Sequence, residues 1–269
     1  MHATLASVVV AIALAMGIAR AGPADAGIEA TLAALVAGLD PRAASAIDRM
    51  EGTGRRLLAA RAYLRAGAGL EERWSWSLEQ AAAFESTAEK RALDDAVARV
   101  RCEFESRNPG YTIWVNPEFR SLDLQLERWN GNESVGLAGD NLLAGVRRAL
   151  GGSAGGTPQA VAALRELLLA HVPEPVPALA APGLSPHGRL RAVDFQVESA
   201  GRIVAGTETA SIASEWIAGG WKARLREAIT EAGVGFEGPL ASPDEPWHYE
   251  FRPQPVQARQ ADGAGCDAA

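Results

Sequence analysis

The residues best suited to chemistry are three histidines and the acids beside them. The chain has four histidines among 269 residues, and His2 belongs to an apolar leader. His171, His187 and His248 remain. His171 ends a helical stretch and is read as a helix-terminus residue outside any site. His187 lies in Pro182-Gly-Leu-Ser-Pro-His187-Gly-Arg-Leu-Arg-Ala-Val-Asp194, where a loop histidine precedes a strand aspartate by seven residues. A loop folding back on its own strand brings both side chains to one point. Imidazole nitrogen and carboxylate oxygen are both good zinc ligands. The competing reading is a surface histidine and a strand aspartate paired with an arginine. His248 lies in Glu245-Pro-Trp-His248-Tyr-Glu250, a turn that delivers the histidine to the start of a strand. Glu245, three residues earlier, is a carboxylate close enough to such a site to move a proton. Glu250 shares the strand face of His248, because side chains alternate, and is read as solvated. Two histidines and one aspartate leave one position open, the pattern of a catalytic rather than a structural zinc site.

These blocks resemble the zinc D-Ala-D-Ala carboxypeptidases and dipeptidases, the VanY-like metallopeptidases. The family's Ser-x-His-x-x-Gly-x-Ala-x-Asp stands here as Ser185, His187, Ala192 and Asp194, and its Glu-x-Trp-His as Glu245, Trp247 and His248. An upstream Arg-Ser followed four residues later by Gln stands as Arg120, Ser121 and Gln125. The likeness covers about residues 110 to 252. One departure is clear: Leu190 occupies the family's glycine position, three residues after the histidine. The resemblance implies one Zn2+ per chain held by His187, Asp194 and His248, with Glu245 as catalytic base. It implies that Arg120 stabilises an oxyanion or grips a substrate carboxylate, the alternative being a structural salt bridge. Ser121, Gln125 and Ser185 are expected around the substrate, Ser185 also orienting the loop. The implied activity is cleavage of bacterial peptidoglycan stem peptides at D-alanine. An endopeptidase acting on D,D or L,D bonds and a non-catalytic cell-wall binding protein are the alternatives.

The elements that must position these residues form an α+β arrangement: a helical N-terminal layer packed on a small antiparallel-sheet domain. Residues 22–107 read as helical. Leu32, Leu35, Val36 and Leu39 recur at helical spacing, as do Leu57, Leu58, Ala62 and Leu64. Asp40-Pro41 starts a helix, Ser77 caps another, and Asp94 to Phe104 is a further one. Trp74, Trp76 and the tyrosine of this region are expected in the core. Asn108-Pro109-Gly110 marks a turn into residues 108–252. Tyr111 to Val115 is a β-branched and aromatic strand. Ser121 caps a helix through Trp129. Gly151 to Gly156 is a loop, 158–170 a helix, and His171 to Pro177 an extended linker. Ala192–Val197 and Arg202–Ala205 pair across Ser199-Ala200-Gly201. Thr209–Ala232 is helical with a break at Gly219-Gly220, and Trp247–Phe251 is a strand. Residues 253–269 are small and polar, a composition that disfavours a packed core.

Leu5 to Ala19 is an uncharged apolar run followed by Ala19-Arg20-Ala21, the pattern of a secretory signal peptide over residues 1–21. Ala24-Asp25-Ala26 is a second candidate cleavage site, and an uncleaved anchor is the alternative to cleavage. The protein is therefore expected outside the cytoplasm, periplasmic or secreted, where its substrate would lie. Only this leader could contact a membrane stably. Hydrophobic residues make up 48% and charged residues 22%, with net charge -7, an ordinary globular balance. No basic patch stands out in the sequence, so nucleic acid is not expected as a partner. Cys102 and Cys266 have no ligand-like spacing; they form one bridge or stay as two thiols.

Overall fold

A computed structural model describes residues 23–116, 119–152, 154–241 and 244–252. The signal-peptide reading of residues 1–21, the tail 253–269 and Cys266 with its bridge to Cys102 lie outside the described residues. Cys102 stands half-buried on a helix. The expected α+β class holds: many helices accompany one small antiparallel sheet of five strands.

Local capping chemistry starts most helices. Asp40 accepts from the Arg42 backbone N–H ahead of α2 (Pro41–Asp48), which follows α1 (Pro23–Val36). Next come α3 (Thr53–Ala66) and the single turn α4 (Leu70–Arg73). Ser77 and Gln80 form a reciprocal capping box at α5 (Leu78–Phe84). Thr87 caps α6 (Ala88–Arg107), longer at both ends than the expected Asp94–Phe104. β1 (Thr112–Val115) follows, then α7 (Leu122–Gly131) capped by Ser121. Asn132 caps α8 (Glu133–Leu150), and Thr157 with Pro158 opens α9 (Pro158–Ala170). The remaining elements are β2 (Ala192–Ser199), β3 (Arg202–Ala205), a π-helical segment at Ile212–Ile217, α10 (Trp221–Ala232), β4 (Phe236–Glu237) and β5 (His248–Phe251). The expected break at Gly219-Gly220 separates the last two helical pieces. Ala24-Asp25-Ala26, the second candidate cleavage site, lies within α1.

A sequence division at residue 107 is not how the chain packs. Two buried cores form instead. One joins α1, α2, α3, α8 and α9 with Leu126 and Trp129 of α7 and with Tyr63, Trp74 and Leu184. The other joins Phe84, Leu93, Val100 and Phe104 with the sheet and with Trp221, Leu225 and Ile229 of α10. So α6 belongs with the sheet, and α7 to α9 belong with the N-terminal helices. Each buried Leu, Phe or Trp here contributes ~1.5–3 kcal/mol over leaving it exposed. Helices α3 and α8 approach so closely that a Cβ on Gly54 would lie 2.6 Å from the Gly139 carbonyl carbon. Only glycine fits there.

The sheet runs β1-β2-β5-β4, with β3 also on β2. All printed pairings are antiparallel. Alternation gives it two faces. Val193, Phe195, Val197, Tyr249 and Phe251 enter the second core. Ala192, Asp194, His248 and Glu250 occupy the other face, where Asp194 registers with His248. Among the described residues, no helix is long and apolar enough to cross a membrane.

Candidate metal centre

Three elements converge to build the centre. β2 carries Asp194. β5 opens with His248, set by a tight turn in which the His248 N–H donates to the Glu245 carbonyl at 3.1 Å. A 3-10 turn, Pro186–Arg189, carries His187. That turn ends on Leu190 at φ 53° and ψ 24°, left-handed backbone that glycine adopts freely. Leu190 holds this left-handed conformation at a strain of roughly 1 kcal/mol. Its side chain packs on the second core.

His187, Asp194 and His248 are all buried, each 7% exposed or less. His248 Nδ1 lies 3.0 Å from Asp194 Oδ1 and 3.2 Å from His187 Nε2, and His187 Nε2 lies 3.3 Å from Asp194 Oδ1. These ligand atoms form a group that could hold a metal ion. Proton accounting supports that reading. One proton serves one edge of the triangle, and two protons set N–H against N–H. A cation satisfies all three lone pairs together. The spacing also fits: a tetrahedral ion with bonds of ~2.0–2.1 Å holds its ligand atoms roughly 3.3 Å apart.

Electrostatics favour a charged Asp194 carboxylate beside a neutral His187. Burial pushes the Asp194 carboxyl up, but hydrogen bonds with His187 and His248 and the charge of Arg120 outweigh it, holding it well below the usual range. Burial pushes His187 down, favouring the neutral form a metal needs. Glu245 Oε2 sits 3.8 Å from His248 Nδ1. Burial raises its carboxyl, and the nearby Asp194 charge adds to that. A raised carboxyl is a better proton acceptor near neutral pH.

Of the upstream trio, Arg120 is the member that lines the cleft. Arg120 Nη2 donates to Asp194 Oδ2, a salt bridge that leaves Oδ1 for the two histidines. Ser121 does not line the cleft: its hydroxyl accepts from the Leu124 N–H at 3.3 Å as the cap of α7. Gln125 is buried, and both ends of its amide are used internally. Its oxygen accepts from the Gly183 N–H at 2.9 Å, and its nitrogen donates to Ser75 Oγ at 2.9 Å and to the Arg120 carbonyl at 2.6 Å. Through these bonds Ser121 and Gln125 build the site's frame. Ser185 does line the cleft.

Sequence reasoning misses Ser75. The Ser75 N–H donates to the Gly183 carbonyl at 2.8 Å and the Trp76 N–H to the Gly188 carbonyl at 2.7 Å. The segment after α4 is thereby stitched to the turn bearing His187. No local motif announces a contact between residues over a hundred positions apart.

The cleft above the centre encloses about 560 Å³. Arg128, Asn132, residues 176–180, Thr207, Leu240 and Trp247 are among its lining residues. Compared with protein-family models, curated proteins and solved structures, the chain matches none.

Proposed function

We propose that the protein is an exported zinc metallopeptidase that cleaves peptidoglycan stem peptides, acting as a D-alanyl-D-alanine carboxypeptidase. The observation that carries this reading is the buried His187–Asp194–His248 triangle with Glu245 beside it, at the floor of an open cleft. His187 Nε2, His248 Nδ1 and Asp194 Oδ1 would hold the ion, a donor set suited to Zn2+. When bound, the ion supplies Lewis acidity to a carbonyl oxygen and to water. Glu245 takes the proton of the attacking water on its carboxylate and returns it to the leaving amine. Arg120, bound to Asp194 Oδ2, keeps the carboxylate turned so that Oδ1 faces the histidines. The order of the blocks around Ser185, His187, Asp194 and Glu245-x-Trp247-His248 supplies the choice of peptidoglycan.

A second reading, cleavage inside longer peptides, is favoured by the extent of the groove. A further cavity of about 520 Å³ shares Arg73, Leu184, Pro186 and Glu250 with the cleft.

The test is incubation of zinc-loaded protein with a synthetic stem pentapeptide ending in D-alanyl-D-alanine, followed by mass analysis of the products. Free D-alanine is expected, falling by ~10²–10⁴-fold in Glu245→Gln. Larger fragments alone would favour the endopeptidase. No cleavage of stem peptides or cross-bridged wall would overturn both.

A further inference from the structure

The second cavity has a chemistry of its own. Its wall carries four guanidinium groups, from Arg73, Arg189, Arg191 and Arg252, against one carboxylate, Glu250. Such a gathering is local, because the whole chain carries a net charge of -7. Two of the four are neutralised by acids. Arg191 pairs with Glu89 at 2.9 Å, and Arg252 pairs with Glu237 at 2.7 Å while staying 3.9 Å from Glu250. The other two are not. Arg189 donates to the uncharged Glu72 carbonyl at 2.6 Å. The Arg73 guanidinium makes no hydrogen bond or ion pair among the described residues.

An excess of unneutralised guanidinium around a concave wall is a receptor for an anion. Planar guanidinium matches a carboxylate in a two-point fashion. Glu250 limits the charge that the wall accepts, so a singly charged carboxylate suits it better than a doubly charged phosphate. Arg73, Leu184, Pro186 and Glu250 line both cavities, so the two adjoin. We propose that the arginine-lined cavity is a carboxylate subsite of the groove, with Arg73 as its first contact and Arg189 as its second. The occupant is an acidic group of a peptide whose backbone lies over the metal centre. This deepens the peptidase reading and rests on it for the identity of the ligand as a peptide. It gives the α4 turn of the helical layer a role in choosing substrate. The carboxylate comes from the chain terminus or from an acidic side chain, and both present the same chemistry.

The probe is fluorescein-labelled Ala-Glu-Ala, beside its side-chain amide Ala-Gln-Ala and its C-terminal amide. Each is titrated into metal-free protein and followed by anisotropy, so that no turnover is involved. Wild type is expected to bind the parent peptide, with Arg73→Gln weakening it about tenfold, the size of one charge-assisted contact. Amidation of the recognised carboxylate should abolish the difference between wild type and variant, and amidation of the other should preserve it. Glu250→Gln should tighten binding of the parent about threefold, a gain that misfolding cannot imitate. Equal binding of all three peptides by wild type and Arg73→Gln, or no binding by wild type, overturns the subsite. A protein that takes zinc and releases D-alanine but ignores Arg73→Gln loses the subsite alone. One that binds the acidic probe but never takes zinc loses the peptidase alone.

Discussion

Asp194 and His248 stand directly opposite one another across the β2–β5 ladder, with Oδ1 and Nδ1 3.0 Å apart. Register therefore sets two of the three ligands. A slip of one residue would turn Asp194 into the core and bring Val193 or Phe195 to the centre. The third ligand arrives by a turn, and it is the turn that depends on the helical layer.

If the triangle holds a metal, a divalent ion should stabilise the folded chain. At a hundred times its dissociation constant, zinc adds ~2.7 kcal/mol. For a chain of this size that raises Tm by roughly 5–10 °C. His187→Ala and His248→Ala should each remove most of the shift in a thermal melt run with zinc and then with chelator. An equal shift in wild type and both variants would place the ion elsewhere.

Arg120→Ala takes the charged partner from a carboxylate that is 5% exposed. The metal-free variant should lose about 2 kcal/mol in urea unfolding, since a buried charge is left less well paired. Zinc held by the triangle would supply positive charge to the same Asp194, so its stabilising effect should be larger in Arg120→Ala than in wild type. A smaller effect would mean that Arg120 contributes mainly by orienting Asp194.

A Cβ on Gly188 would lie 2.0 Å from Ser75 Oγ and 2.6 Å from Ser75 Cβ. Gly188→Ala should therefore displace the His187 turn, costing about 1–3 kcal/mol by overpacking and weakening metal binding. Ser75→Gly in the same chain should recover part of both losses. Calorimetric zinc titration of the single and double variants checks the pair, and strictly additive losses would disprove the contact.

Gln125→Leu keeps the volume and removes the amide. The Gly183 N–H is left without its acceptor, at a cost of about 1–3 kcal/mol. Below its melting temperature the variant should keep its KM, because Gln125 faces the frame. A raised KM with unchanged stability would return Gln125 to the substrate.

The strands and caps were legible in the sequence because their causes are local. The runs at 111–115, 192–197 and 247–251 announce themselves by residue type, and Asp40, Ser77 and Ser121 cap by short hydrogen bonds. The ligand set was legible because each histidine sits within seven residues of an acid. The sequence over 133–150, where α8 forms, does not announce a helix. Its Gly136, Gly139 and Gly145 argue against a helix on propensity, and the close approaches of Gly139 to the Gly54 backbone and of Gly136 to the Arg55 guanidinium explain two of them. The assignment of α6 to the sheet, and of α7 to α9 to the N-terminal helices, depends on distant packing. So do the partners of Arg120, Gln125 and Ser75. The arginine-lined cavity gathers residues 73, 189, 191 and 252, which make no patch when read in order.

Two cores that share a chain need not open together. Here the polypeptide crosses between them repeatedly, and Ser75, Gln125, Gly183 and Gly188 form a small polar rivet across the join. Loosening the rivet would release the His187 turn without melting either core. An ion held at the centre would then leave in a partial opening, well below the temperature of global unfolding. Cooperativity, more than total stability, would set how long such a protein keeps its metal.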